Sequence, residues 1–118
     1  MADQTNHTIL ICTACKGTLA AKSLRNALID RIPAQFVLRA VDCMAGCDRP
    51  VTVGFQASGK AQYLFGEIET DADTDALIQF AHQFLESDTG WTSASDRPEQ
   101  LYNKTLARLP GPTAGQQR

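Results

Sequence analysis

The chain has 118 residues, 43% of them hydrophobic, and this size predicts one compact domain. Its polar start and its lack of a long apolar run exclude a signal-peptide core and a membrane span, so we expect a soluble, cytoplasmic protein. The formal net charge is −2, although residues 61–96 hold eight carboxylates and no Lys or Arg. Neither flank concentrates positive charge beside aromatic residues, so nucleic acid is not an expected partner.

The first half of the chain predicts a strand, a helix and a second strand. Residues 7–12 form a short β-rich run, HTILIC. Residues 16–32 carry leucine and isoleucine at helical spacing, and Pro33 is expected to end this helix. Residues 35–43 predict a second strand, whose largely apolar character suits burial on both faces of a sheet.

The second half predicts a hairpin and a further helix. Residues 51–68 divide into two strand-like halves around Ser58 and Gly59, because Gly tolerates the positive φ of a tight turn. Residues 70–87 show the most regular helical pattern, with aspartates at the start that favour the helix dipole. The predicted order is β-α-β-β-β-α, an α/β fold with a central mixed sheet flanked by helices.

The C-terminal quarter carries weaker signals. We predict a domain over residues 1–90, followed over 91–118 by a linker and a partly mobile C-terminal tail. Residues 101–118 predict a weak helix at most before a Pro/Gly-rich end. Trp91 is expected to pin the linker onto the domain.

The four cysteines form two close pairs, each following a predicted strand. Cys12 and Cys15 are a CxxC between the first strand and the first helix, where helical N–H groups and the positive helix end stabilise thiolate. Cys43 and Cys47 lie in VDCMAGCDRP after the second strand. If these strands are parallel neighbours joined by a right-handed crossover, both pairs emerge at the same edge of the sheet.

Four interpretations of these cysteines remain open. A two-iron two-sulfur (2Fe-2S) cluster and a tetrahedral zinc ion would each use all four thiolates, and reducing compartments favour such metal sites over disulfides. A thioredoxin-like dithiol would use Cys12 for attack and Cys15 for resolution, which leaves Cys43 and Cys47 without a role. In the fourth interpretation the cysteines are small buried hydrophobic residues.

The residues VDCMAGCDRPVTVGF followed by GKAQYLFGEI resemble the CxxxC loop, strand and hairpin of thioredoxin-like 2Fe-2S ferredoxins. Residues 8–110 as a whole resemble a family of small bacterial proteins described as predicted metal-binding, which is related to those ferredoxins. The resemblance implies a thioredoxin-like sheet, four metal ligands and often a homodimer. The four ligands would be Cys12, Cys15, Cys43 and Cys47. An apolar set in the tail also favours a homodimer: Leu101, Tyr102, Leu106 and Leu109.

The expected function is therefore one-electron transfer with a protein redox partner, and the competing class is metal delivery to a partner. No Ser/His/Asp set, phosphate loop or pair of catalytic carboxylates can be assembled, so we do not expect an enzyme. The acidic run from Glu67 to Asp75 has two interpretations, a patch that steers a basic redox partner or the solvated start of a helix. His7 and His82 are expected to be surface or partly packed residues rather than ligands.

Overall fold

The computed structural model describes residues 7–13, 17–41, 51–87, 89–92 and 97–109. In chain order, the elements are β1 (His7–Cys12), α1 (Gly17–Ile29), β2 (Phe36–Val41), β3 (Val53–Ala57), β4 (Gln62–Phe65), α2 (Asp71–Glu86), a short 3₁₀ helix (Glu99–Lys104) and β5 (Thr105–Leu109). Neither α1 nor α2 is long and apolar enough to cross a membrane, and the same is true of every helix in the described ranges.

The five strands form one mixed sheet in the order β2-β1-β3-β4-β5. The strands β1 and β2 are parallel neighbours, and the other three pairings are antiparallel. Helix α1 connects the parallel pair and contacts both strands. The predicted α/β class and the predicted β-α-β-β-β-α order are confirmed, and the architecture is consistent with a thioredoxin-like fold.

The predicted first helix forms, but it ends earlier than expected. Leu24 and Leu28 are buried, as their helical spacing predicts. The last helical residue is Ile29, and the N–H groups of Arg31 and Ile32 both donate to the Leu28 carbonyl, at 2.9 and 3.1 Å. The chain therefore turns before the proline that was expected to end the helix.

The strand β2 lies at the edge of the sheet, and the prediction that both of its faces are buried is wrong. Phe36 is buried, but Val37 is 45% exposed and Arg39 and Ala40 are exposed. An apolar run can belong to an edge strand when a helix covers only one of its faces. Here α1 covers one face, and the outer edge of β2 pairs with no strand among the described residues.

The hairpin between β3 and β4 matches its prediction. The register pairs Val53 with Phe65 and Phe55 with Tyr63. Gly59 in the connecting turn has a φ of +74°, a conformation that side-chain-bearing residues rarely adopt. The glycine therefore permits the reversal that the sequence indicates.

Helix α2 begins with a reciprocal capping box. The hydroxyl of Thr70 accepts from the N–H of Asp73 at 3.1 Å, and the Asp73 carboxylate accepts from the N–H of Thr70 at 3.0 Å. Each side chain thereby satisfies a helical N–H group that has no partner within the helix. The predicted helix over residues 70–87 is confirmed, and its aspartate-rich start includes this structural cap.

Residues 105–109 form a fifth strand, so the prediction of a weak helix at most is wrong there. β5 pairs antiparallel with β4, and the 3₁₀ helix before it packs against α2. Leu101 is fully buried in the core of this same chain, which removes it from the apolar set that was expected to meet a second copy. The predicted mobility of the tail beyond β5 concerns residues 110–118, which lie outside the described residues.

Trp91 contacts the tail strand rather than the core. Its side chain is 52% exposed, and the guanidinium of Arg108 lies 3.6 Å from the centre of its ring. Such a cation–π contact is favourable by about 0.5–1 kcal/mol at an exposed site. The residue links the segment after α2 to β5.

The core is dominated by aromatic rings between α2 and one face of the sheet. Phe55, Phe65, Phe80 and Phe84 are essentially inaccessible to solvent. The rings of Phe55 and Phe80 meet edge to face, with centroids 4.8 Å apart. Burial of each such ring stabilises the fold by about 1.5–3 kcal/mol.

Candidate metal site

Cys12 is the last residue of β1 and is only 2% exposed. Its N–H donates to the carbonyl of Thr52 at 3.0 Å, and its register partner on the other side is Val41, at the end of β2. The residue therefore belongs to β1, an interior strand between β2 and β3, and α1 begins only at Gly17. The first cysteine of the CxxC is fixed by the sheet, and its own N–H is occupied there.

The remaining predicted ligands, Cys15, Cys43 and Cys47, lie outside the described residues. Within the ranges that the structure describes, no group of three or more His, Cys, Asp and Glu residues is arranged to hold a metal ion. The four-thiolate site remains a prediction. What the structure provides is the position of the chain on either side of these cysteines.

The described residues that flank the segment carrying Cys43 and Cys47 lie on opposite sides of Cys12. The segment follows Val41, the parallel neighbour of Cys12, and it ends before Thr52, whose carbonyl accepts from the Cys12 N–H. The predicted adjacency of the first two strands is confirmed. β1 and β2 are still paired at their last residues, Cys12 and Val41, and the two cysteine pairs begin at or shortly after these residues in the sequence.

Thr13 ties the end of β1 to the end of β2. Its N–H and its hydroxyl both donate to the Val41 carbonyl, at 2.9 and 3.1 Å. Two hydrogen bonds to one carbonyl restrain the point where the chain leaves β2 toward Cys43. Sequence reasoning gave Thr13 no role, although a hydroxyl-bearing residue directly after a strand and inside a CxxC was an available signal.

These features suit a soft metal or an iron–sulfur cluster. Cysteine thiolates are the preferred ligands of such centres, and the low exposure of Cys12 matches the shielding from water that tunes them. The same burial argues against Cys12 as an attacking thiolate, because reactive thiols lie in partly exposed environments. The donor chemistry and the position of Cys12 therefore fit a metal centre better than a dithiol enzyme.

The acidic run is joined by a hydrogen bond to Val51, the first described residue after the segment that carries Cys43 and Cys47. The N–H of Ile68 donates to the Val51 carbonyl at 3.2 Å, directly beyond the segment that carries the second cysteine pair. Glu69 and Asp71 are exposed there, whereas the side chain of Asp73 is 1% exposed. Asp73 therefore belongs to the helix cap and is unavailable to a partner.

The carboxylate of Asp73 is held in its charged form. Burial alone would raise its pKa, but hydrogen bonds from the N–H groups of Glu69 and Thr70, a further one from Gln100 and the charge of Lys104 lower it below the ordinary value of 3.8. The ammonium of Lys104 lies 3.6 Å from this carboxylate. The same cation donates to the Glu67 carbonyl, so it fastens the loop before α2.

The two histidines lie on β1 and α2. His7 begins β1, at the opposite end of the strand, and its Nε2 lies 2.9 Å from the ammonium of Lys60. Burial and then the Lys60 charge lower the pKa of His7. His82 is exposed on α2, as expected for a surface residue.

The fold and these residues define a small mixed α/β protein in which the interior strand β1 ends in a buried cysteine. The chain belongs to the family described as "Protein of unknown function (DUF1636)", which matches residues 9–111. No curated protein and no solved structure matches the chain. The matched range includes all four cysteines, and the family description states no activity.

Proposed function

We propose that this protein carries a 2Fe-2S cluster on Cys12, Cys15, Cys43 and Cys47 and serves as a one-electron carrier. The observation that carries the proposal is the placement of Cys12 between Val41 and Thr52, the two residues that bracket the other cysteine pair. Neighbouring strands are about 4.8 Å apart, and the two residues from Val41 to Cys43 span at most about 7 Å. Such distances allow the pairs to share one centre.

The chain's own residues would bind and shield that centre. Cys12 would supply a thiolate from a rigid strand, while Thr13 restrains the neighbouring strand end through the Val41 carbonyl. Because the N–H groups of Cys12 and Thr13 are occupied by sheet carbonyls, hydrogen bonds to cluster sulfurs would have to come from other amides. The chemistry supplied by a bound cluster of this kind is one-electron transfer.

The proposed partner is a protein, and the proposed compartment is the cytoplasm. A reducing compartment keeps thiols available to metal. Exposed carboxylates favour a basic redox partner; they are Glu69, on the loop joined to Val51, and Asp71, the first residue of α2. Since no catalytic set is proposed, the protein would pass electrons to an enzyme rather than act as one.

The deciding experiment is metal analysis with absorption spectroscopy of anaerobically purified protein. We expect two iron and two sulfide per chain, visible absorption and a reversible one-electron couple. Stoichiometric zinc in colourless protein would retain the four-cysteine site but replace electron transfer with zinc binding or metal delivery. Metal-free protein with rapid dithiol reductase activity would contradict the proposal entirely.

A further inference from the structure

A groove opens between α1 and the edge strand β2, and it has a volume of about 320 Å³. Among the described residues that line it, apolar side chains are combined with three cations and with no carboxylate. The apolar part is formed by Ile11, Ala21, Leu38 and Ala40, and the cations are Lys22, Arg25 and Arg39. A volume near the lower end of the usual range for ligand pockets suits a small molecule.

The three cations differ from the other cations of the described chain. The ion pairs found there involve Arg31 and Lys104, and none involves Lys22, Arg25 or Arg39. The remaining basic side chains contact carbonyls or rings. They are Lys60, Arg97 and Arg108. The three cations that show neither an ion pair nor such a contact in the described ranges, Lys22, Arg25 and Arg39, therefore all line one groove.

The apolar wall is part of the rigid fold. Ile11 and Ala21 are buried at 2% and 5% exposure, and Leu38 is partly buried against the core. The wall is thus preformed by β1, β2 and α1 rather than assembled by a ligand. By contrast, Arg25 and Arg39 are exposed, so their guanidinium groups are accessible to an anion. Arginine offers carboxylates a planar pair of donors.

We infer that this groove binds a small amphipathic organic anion, with its apolar body against Leu38 and Ile11 and its carboxylate between the cations. Charge complementarity selects the anion, and the wall selects the apolar body. The inference goes beyond the proposed electron transfer and does not depend on which metal the cysteines hold. The groove reaches Thr13, the residue that follows Cys12, so an occupant would adjoin the candidate metal site without belonging to it.

The opposing explanation is that the cations only protect an edge strand. Charged side chains on exposed edges prevent pairing with other chains, and Arg39 lies on such an edge. Edge protection requires no saturable ligand site and no preference for an apolar anion. The two explanations therefore differ in a measurable way.

The test is a titration of the full-length protein, as purified, with octanoate, octanol and octylamine, followed by ¹H–¹⁵N NMR. We expect saturable octanoate binding with shifts at Leu38, Ala40 and Thr13, and weaker binding of the neutral and cationic analogues. Arg25→Gln and Arg39→Gln should each weaken octanoate binding about tenfold, as expected for loss of a charge-assisted hydrogen bond.

Two further variants distinguish binding in the groove from a general effect of surface charge. Ala40→Phe should block octanoate by filling the groove at an exposed position without removing a charge. Arg31→Gln removes the same charge outside the groove, from an exposed pair with Asp75, and should leave binding unchanged. The inference is overturned if octanoate does not saturate, if octanol binds as tightly, or if Arg31→Gln weakens binding as much as Arg25→Gln.

Discussion

The ammonium of Lys60 lies 2.9 Å from Nε2 of His7 and donates to it, so the imidazole accepts in its neutral form. The same ammonium donates to the carbonyls of Phe84 and Leu85 at 2.7 and 3.1 Å, in the last turn of α2. A buried cation thus neutralises the negative end of that helix. Protonation of His7 would place a second positive charge against Lys60.

We expect acid to destabilise the fold through His7. In the unfolded chain His7 takes up a proton near its ordinary pKa of 6.5, whereas the folded protein lowers that pKa. Between the two values the unfolded state binds more protons, so stability falls as the pH is lowered through 6.5 and below. Thermal unfolding measured between about pH 7.5 and about pH 5.5 reports this loss of stability, because that pH range spans the titration of an ordinary histidine.

The matched variants are His7→Gln and His82→Gln. Glutamine can accept from Lys60 but does not titrate, so His7→Gln should lose part of the acid sensitivity. His82→Gln, at an exposed position of α2, should keep the wild-type dependence. Equal acid sensitivity in wild type and His7→Gln would disprove this assignment.

Asp73→Asn should destabilise the protein by about 1–3 kcal/mol, because it removes a charged, buried acceptor from two N–H groups and from Lys104. Asp71→Asn is the control, since Asp71 is exposed in the same helical turn and contributes at most about 1 kcal/mol through the helix dipole. Chemical denaturation measures both. A loss for Asp73→Asn no greater than for Asp71→Asn would contradict the capping assignment.

The contribution of the Asp73 carboxylate to the free energy of unfolding should depend on pH. Because its folded pKa is lowered, its contribution is present above its ordinary value of 3.8 and is lost as the pH falls through the folded value. Asp73→Asn should therefore be less stable than wild type at neutral pH, and the difference should shrink in strong acid. A pH-independent difference would show that the charge is unimportant.

The sequence predicted elements whose signals are local. The hairpin at Gly59 and the aspartate-rich start of α2 depend on residues within a few positions, so both were recognised. The fifth strand was missed because Thr105–Leu109 is a short, half-buried edge strand, which is stabilised by pairing with β4. The burial of Lys60 was also missed, because its partners His7 and Phe84 are distant in sequence.

For the candidate site, the adjacency of β1 and β2 followed from the crossover rule that applies to a strand, helix and strand. The role of Thr13 did not, because it depends on a carbonyl 28 residues away. The acidic run shows the same limit. Charge patterning identified it, but only the fold separates the exposed Glu69 and Asp71 from the capping Asp73.

We expect Glu69→Lys with Asp71→Lys to slow electron exchange with a basic redox protein such as cytochrome c. Long-range attraction raises encounter rates and is screened at high ionic strength, so the slowing should be several-fold in low salt and negligible near 1 M salt. Stopped-flow kinetics across salt concentrations measures it. Glu86→Lys reverses one carboxylate at the other end of α2 and is the control for each of the two single variants, Glu69→Lys and Asp71→Lys. Unchanged rates in the double variant would reject steering by this surface.

The last prediction concerns the cysteines themselves. If one centre uses four thiolates, then Cys12→Ser, Cys15→Ser, Cys43→Ser and Cys47→Ser should each lose or severely weaken metal binding. The loss should exceed the 10–100-fold typical of changes around a ligand, since a ligand itself is removed. A dithiol enzyme, by contrast, should tolerate loss of Cys43 or Cys47, because only the CxxC would react.

Metal content per folded chain is the measurement, with circular dichroism to verify the fold of each variant. This check matters most for Cys12→Ser, because Cys12 is buried at the end of the interior strand β1. Met44→Leu changes the residue beside Cys43 without removing a thiol and should retain the metal. Visible absorption should disappear with the metal if the centre is iron–sulfur. Folded Cys43→Ser and Cys47→Ser proteins with full metal content would show that these residues are not ligands.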